Sequence, residues 1–253
     1  MSRRPVAVIS AWPSKKQSSR NEDRGLTYIC VPVYGENERE LIRRVETVLS
    51  RGADLVEIRL DLSQIDDVEN LSDVLKPFAE KLVLTCRPVG EGGKSTLPAH
   101  ERISMLAKLG RINPAYVDVE LQTIKQTSVQ NLKSMGCRFI VSWHDFTTTP
   151  ESQILVSTAE ECLKHGDIAK IVTFSSGDED NYRVVSLYTV LPRKRLVAFC
   201  MGEKGCVTRI LSMAAGSPIA YAAFEELQTA LGQLSLDEMI RARELIVKGV
   251  SGD

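Results

Sequence analysis

The stretch Val56-Glu57-Ile58-Arg59-Leu60-Asp61 reads as a strand with two unlike faces. Side chains alternate along a strand, so Glu57, Arg59 and Asp61 share one face while Val56, Ile58 and Leu60 share the other. On a sheet open to water, such charges could be surface salt bridges. The strands of a parallel sheet are covered by helices, so the charged face must find another polar place. A closed parallel barrel provides one: the aliphatic face packs under the helices, and the charged face points inward near the C-terminal mouth, where barrel enzymes keep their active sites.

From Leu26 onward the chain repeats one pattern, an apolar β-branched run, a turn, then a segment of helical period, which means parallel strands with helical crossovers. Strands are expected at Tyr28–Val33, Leu55–Leu60, Leu82–Cys86, Tyr116–Leu121, Phe139–Trp143, Ile168–Thr173, Leu196–Cys200 and Ile219–Tyr221. Eight such units in a chain of 253 residues fit an α/β fold of one kind, the eight-stranded parallel (β/α)8 TIM barrel. The expected organisation is a single barrel domain over residues 26–253 behind an N-terminal extension of residues 1–25. Within the extension, Pro5–Ile9 could add a capping strand, and Ser14–Arg24 reads as a flexible link. A doubly wound sheet shares the alternation, but it usually carries a glycine-rich first turn. This chain has Tyr34-Gly35-Glu36-Asn37 there.

Helix signals agree with the strand pattern. Leu41, Val45, Val48 and Leu49 fall on one helical face, with Asn37 and Glu40 as a capping box and Gly52 as the stop. Thr149-Pro150-Glu151 carries an N-cap signature, and Ser235 with Glu238 carries another before the last helix, which Gly249 is expected to end.

Composition narrows the function. The net charge of -1, without a basic stripe, argues against nucleic acid or an anionic membrane as partner and for a small molecule. None of the six cysteines forms a CxxC pair, which speaks against zinc and against a disulfide scaffold. They read as reduced thiols. No apolar run is long enough for a membrane span and no secretory core is visible, so a soluble cytoplasmic protein is expected.

The run Ile168 to Phe174 is short, apolar and β-branched, yet it carries Lys170 near its middle. Desolvation lowers a lysine pKa and makes the neutral amine available to attack a carbonyl. The plain alternative is a lysine with a buried stem whose head reaches water. Other strands aim polar groups at the same end: Asp118 and Glu120 alternate with aliphatic residues, Arg87 follows the third strand, and the fifth ends Ser142-Trp143-His144-Asp145. A lone strand-end histidine is as often structural as catalytic, but His144 would neighbour the lysine strand, and imidazole titrates in a useful range. His100 and His165 lie on helix-like segments and read as surface. After the seventh strand, Met201-Gly202-Glu203-Lys204-Gly205 enters a helix carrying Arg209, a turn and fork suited to a carboxylate or phosphate.

These residues together resemble type I 3-dehydroquinate dehydratase, the Schiff-base lyase of the shikimate pathway and aromatic amino acid biosynthesis. Glu57-Ile58-Arg59-Leu60-Asp61 is similar to the family's E-x-R-x-D strand, and Arg87 with Glu91-Gly92-Gly93 to its R-x-x-x-E-G-G turn. Asp118-Val119-Glu120-Leu121, the S-x-H-D-F motif at Ser142 to Phe146, Ala169-Lys170, and the spacing from Met201-Gly202 to Arg209 follow in order. The resemblance implies dehydration of 3-dehydroquinate to 3-dehydroshikimate by a cytoplasmic homodimer, without metal or added cofactor. It assigns imine formation to Lys170, proton transfer to His144 and imidazole orientation to Glu91. Arg209 would hold the substrate carboxylate, and Glu57, Arg59, Arg87 and Gln233 the ring hydroxyls. The family's closing S-A-P-G-Q reads Thr229-Ala230-Leu231-Gly232-Gln233 here. Thr229 keeps a hydroxyl for substrate contact, and loss of the proline frees the loop backbone. Two other readings remain at this point: a lysine-dependent aldolase or transaldolase acting on sugar phosphates, and a metabolite sensor that has lost turnover.

Overall fold

The apolar runs become strands that are covered on both sides. In the computed structural model, which describes residues 26–65, 68–134, 136–224 and 232–251, they form β1 (Tyr28–Val33), β2 (Leu55–Arg59), β3 (Leu82–Thr85), β4 (Tyr116–Glu120), β5 (Phe139–His144), β6 (Ile168–Phe174), β7 (Leu196–Met201) and β8 (Ile219–Tyr221). The ladders are parallel, in the order β7-β6-β5-β4-β3-β2-β1-β8. Pairing of β8 with β1 brings the sheet round into a nearly closed (β/α)8 barrel. The seam between β7 and β8 has no ladder among the described residues; Ser217 spans it, its hydroxyl donating to the carbonyls of Leu196 and Ile219.

The outer layer comprises α1 (Glu38–Ser50), α2 (Val68–Leu75), α3 (Ala99–Gly110), α4 (Leu121–Gln126), α5 (Gln130–Lys133), α6 (Ser152–His165), α7 (Asp178–Val190), α8 (Val207–Ala214) and α9 (Leu236–Ser251). On α1, Leu41, Val45, Val48 and Leu49 are the buried stripe. They pack with Ile29, Val31, Val56 and Ile58 in a core that lies between strands and helices. Each such side chain contributes roughly 1.5–3 kcal/mol on burial. A second, smaller core fills the barrel itself, with Cys30, Leu55, Val83, Ile140 and Ile168 among its members.

Register turns that inner core into a floor. Val83 pairs with Glu57, Thr85 with both Arg59 and Asp118, and Ser142 with both Glu120 and Lys170. The next inward positions above the apolar floor are therefore polar on several strands at once.

Element ends depart from the sequence reading by a residue or two, for local reasons. β2 stops at Arg59 and passes into a 3-10 turn at Leu60–Leu62, where Asp61 folds back to grip Arg59. β4 stops at Glu120 because α4 begins at Leu121. Around α1, the Asn37 side chain accepts from the Glu40 amide, but the Glu40 carboxylate accepts from Glu36 rather than Asn37, so the capping box closes one residue early. Thr149 is not an N-cap. α6 starts at Ser152, and Thr149 is buried instead, its hydroxyl donating to the Phe174 carbonyl. α9 runs through Gly249 to Ser251. The Ser235–Glu238 box forms in both directions. The N-terminal extension, residues 1–25, lies outside the described residues.

Candidate active site

Lys170 sits inward on β6, 5% exposed, one layer above the apolar floor. It is not isolated in hydrocarbon, as a lysine activated by desolvation alone would be. Its Nζ donates to Asp118 Oδ2 at 3.0 Å, lies 3.6 Å from Glu57 Oε1, and stands 4.0 Å from the centroid of the Tyr221 ring. Asp118 comes from β4 because β4 and β6 flank β5, and all three turn the same pleat inward. The Ser142 hydroxyl of β5 fills the space between them and donates to Asp118 Oδ1 at 2.6 Å.

Arg87 organises the next layer. Its guanidinium reaches Asp118 at 3.0 Å and Glu120 at 3.5 Å and donates to Ser142 at 2.6 Å. Burial pushes the Asp118 carboxyl up, but Arg87, Lys170 and the Ser142 hydroxyl outweigh it and hold that carboxyl well below the usual range. Arg59 is locked to Asp61 by two bonds of 2.9 and 2.7 Å, and Asp61 also accepts the amides of Arg87 and Lys94. That junction fixes the turn after β3 against the end of β2.

His144 ends β5, and its Nδ1 lies 3.0 Å from Glu91 Oε2. Burial, with Arg87 and Lys170 facing it, holds the imidazole well below its ordinary value. Burial also pushes Glu91 up to about 8 against the pull of Arg87. Arg87 Nη1 lies 3.3 Å from the same Nδ1, so the ionised Glu91 carboxylate is what draws a proton to Nδ1; in that tautomer Nδ1–H donates to Glu91 and Nε2 is left as a free base. Phe146 stacks on His144 with ring centroids 5.9 Å apart. Gly92 makes room for that ring: its φ is +77°, and a Cβ there would run into Phe146.

Arg209 enters from α8, 2% exposed, with its guanidinium 4.3 Å from the centroid of the Phe199 ring. Its Nε donates to the Gly232 carbonyl at 3.0 Å, and the two Nη atoms have no hydrogen-bond partner among the described residues. Burial lowers its pKa to about 10. Two buried donor groups on one planar fork have the geometry that suits a carboxylate or phosphate.

Glu57, Arg59, Arg87, Glu91, His144, Lys170, Arg209 and Gln233 line one cavity at the mouth, with about 520 Å³ of empty space counting its opening. Thr229 and Leu231 lie outside the described residues. His100 stands at the surface, whereas His165 is half-buried against Glu161. Phe199, Met201 and Tyr221 also line the cavity, and the sequence reading passed over them because apolar and aromatic residues within strands look like core. Asp118 was legible as inward charge but not as the lysine's partner, because that contact depends on the register of three strands. Among the described residues no group of three or more His, Cys, Asp or Glu is placed to hold a metal, and no helix is long and apolar enough to cross a membrane.

A (β/α)8 barrel with a lysine-centred polar pocket at its mouth has the layout of a barrel enzyme. A sequence model of the Type I 3-dehydroquinase family matches residues 29–249. The 3-dehydroquinate dehydratase of Pyrococcus abyssi is 40% identical over 197 residues, 77% of this chain and 88% of that protein. Among solved structures, the 3-dehydroquinate dehydratase from Geobacillus kaustophilus superposes with a TM-score of 0.79 at 25% identity, covering 87% of this chain and 91% of that one. The enzyme of the same name from Aquifex aeolicus gives 0.74 at 27% identity, covering 87% and 98%. The chain belongs to the type I 3-dehydroquinase family, and it is a hydro-lyase.

Proposed function

We propose that this barrel converts 3-dehydroquinate to 3-dehydroshikimate and water through a covalent imine on Lys170. The observation that carries the reading is the grouping around one cavity of Lys170, the His144–Glu91 pair and the Arg209 fork, whose two Nη atoms have no partner among the described residues. Each has a different task. Arg209 takes the substrate carboxylate, and Glu57, Arg59, Arg87 and Gln233 hold the ring hydroxyls, with Thr229 contributing a further hydroxyl.

The amine must first lose a proton, and His144, held unprotonated, is suited to take it. Lys170 Nζ then adds to the C3 carbonyl, and the resulting carbinolamine expels water to give the iminium. The positive nitrogen withdraws electrons, which lowers the barrier to removing a proton from C2. His144 takes that proton through Nε2 while Glu91 fixes the imidazole from the other side. The C2 electron pair, held as an enamine, then drives out the C1 hydroxyl, which leaves as water with the proton from His144. Water finally hydrolyses the conjugated imine and returns the free amine. Asp118 holds Lys170 and Arg87 in fixed relation throughout, so attack and elimination use one geometry.

The test is intact-protein mass spectrometry after borohydride treatment with 3-dehydroquinate, with enone absorbance followed in parallel. Wild type is expected to gain one reduced adduct and to make product; Lys170→Ala is expected to do neither. Adduct without product would support a sensor in place of an enzyme. If neither is seen and a sugar phosphate is cleaved, the aldolase reading replaces this one. Family membership also supports a cytoplasmic homodimer, whose stoichiometry light scattering of the purified protein would check.

A further inference from the structure

Tyr221 is the last residue of β8, 4% exposed, and it lines the same cavity as Lys170. Its hydroxyl is buried and makes no hydrogen bond among the described residues. A buried polar group without a partner destabilises the fold and calls for a reason. The surroundings do not provide one in packing alone, since phenylalanine would fill the same space. Burial first, then the facing carboxylate of Glu57 and the thiol of Cys30, push the phenol well above its ordinary value. The hydroxyl therefore keeps its proton and stands as a donor.

Its position in the wall gives that donor a target. Lys170 lies over the Tyr221 ring, Tyr221 is 6.2 Å from the Phe199 ring, and Arg209 lies over Phe199. Two rings, Tyr221 and Phe199, thus bridge the Lys170 amine and the Arg209 guanidinium, whose Nη atoms have no partner among the described residues. A ring attached to Lys170 at one point and paired through its carboxylate with Arg209 at another must lie along Tyr221 and Phe199. We infer that the Tyr221 hydroxyl is a further substrate contact, donating to a ring hydroxyl of the cyclic keto acid captured on Lys170. This deepens the dehydratase reading and rests on it. The contact adds selectivity for a hydroxylated ring, because a polar group left unpaired penalises a ligand that lacks its partner.

The experiment compares wild type with Tyr221→Phe, which keeps ring and volume, using two ligands: 3-dehydroquinate, and 3-oxocyclohexanecarboxylate, a keto acid without ring hydroxyls. Steady-state kinetics report KM and kcat for the first, concentration-dependent borohydride trapping reports affinity for both, and thermal melts report stability with and without ligand. The substitution is expected to raise KM and weaken trapping of dehydroquinate by about tenfold, the worth of one well-placed hydrogen bond. It should change kcat less than about twofold and leave trapping of the bare keto acid unaltered. The ligand-free variant should melt no lower than wild type, since an unpaired buried hydroxyl has been removed. Equal KM values would overturn the inference, and so would equal losses for both ligands, which would mean that the hydroxyl acts through Lys170. A wild type that neither binds nor turns over dehydroquinate would overturn the underlying reading and this inference with it.

Discussion

At the scale of single residues, the chemistry depends on which charges face which. Lys170 was legible because one ammonium in a β-branched run is unusual, but its setting was not, since Asp118 lies 52 positions away and meets it across two ladders. Asp118 also binds Arg87, so two buried cations share one carboxylate. Asp118→Asn is expected to destabilise the fold by about 3–5 kcal/mol, the usual effect of breaking a buried ion pair from one side. Urea denaturation at neutral pH would measure it, and a loss under about 1 kcal/mol would show that the two cations find other partners. The His144–Glu91 pair gives a pH dependence. Glu91 is held up to about 8 by burial, so below that value it carries a proton and does not accept from Nδ1–H. The free base at Nε2 is then lost to the other tautomer. Because kcat/KM reports the free enzyme, it is expected to rise about tenfold per pH unit below about pH 8 and to level above it. Glu91→Gln should abolish that limb while lowering the plateau; a limb that persists in the variant would assign it to another group.

At the scale of elements, local signals were read well where they satisfy the backbone and poorly where tertiary contacts compete. Ser235 and Glu238 form a reciprocal box at the start of α9, with the Glu238 amide donating to Ser235 Oγ and the Ser235 amide to Glu238 Oε2. The same helix carries Arg243, which donates to the Thr27 carbonyl at 3.1 Å and pairs with Asp54. α9 therefore ties the end of the chain to the entry of β1. Ser235→Ala is expected to cost about 1 kcal/mol in chemical denaturation, without altering kcat, because the box lies outside the cavity. No change in the denaturation midpoint would mean that Arg243, not the cap, holds the helix. Thr149 has the same local signature and a different fate: the end of β6 offers its hydroxyl a carbonyl acceptor, and that contact wins over capping. Arg102 was illegible for a related reason. It lies on the buried face of α3 with Ile103, Leu106 and Leu109, yet it spends its fork on Thr123 and the Leu97 carbonyl and lies 3.5 Å from Glu120. No spacing rule predicts an arginine on an apolar stripe.

For the whole molecule, the net charge of -1 makes general self-repulsion a weak contributor near neutrality, so the pH dependence of stability rests on the buried groups at the mouth. They act in two opposite directions. Asp118 and Asp61 are held below the ordinary carboxylate range: burial raises both, and the facing cations with the hydrogen bonds they accept outweigh it. Their contribution is present above the unfolded value near ~4 and is lost as pH falls through the folded values. Glu91 and Glu120 are raised by burial, so the folded protein holds protons there that the unfolded chain has released. For Glu91 the interval runs from its ordinary 4.5 to about 8, and across it stability falls as pH rises, by up to about 1.4 kcal/mol per pH unit. His144 acts with the aspartates: burial with the facing Arg87 and Lys170 holds it below its ordinary value, so its contribution is present above ~6.5 and is lost as pH falls below that. It offsets Glu91 over the interval below ~6.5, so the sum is a plateau on the acid side of neutrality, with a steep loss below about pH 4 and a decline from ~6.5 toward pH 8. Urea denaturation of the ligand-free protein across that range should show it. Asp61→Asn should flatten the acid side and Glu91→Gln the alkaline side, each leaving the other intact. A stability curve centred near pH 8 would mean that the Glu91 carboxylate is solvated in the free protein and ionises at its ordinary value.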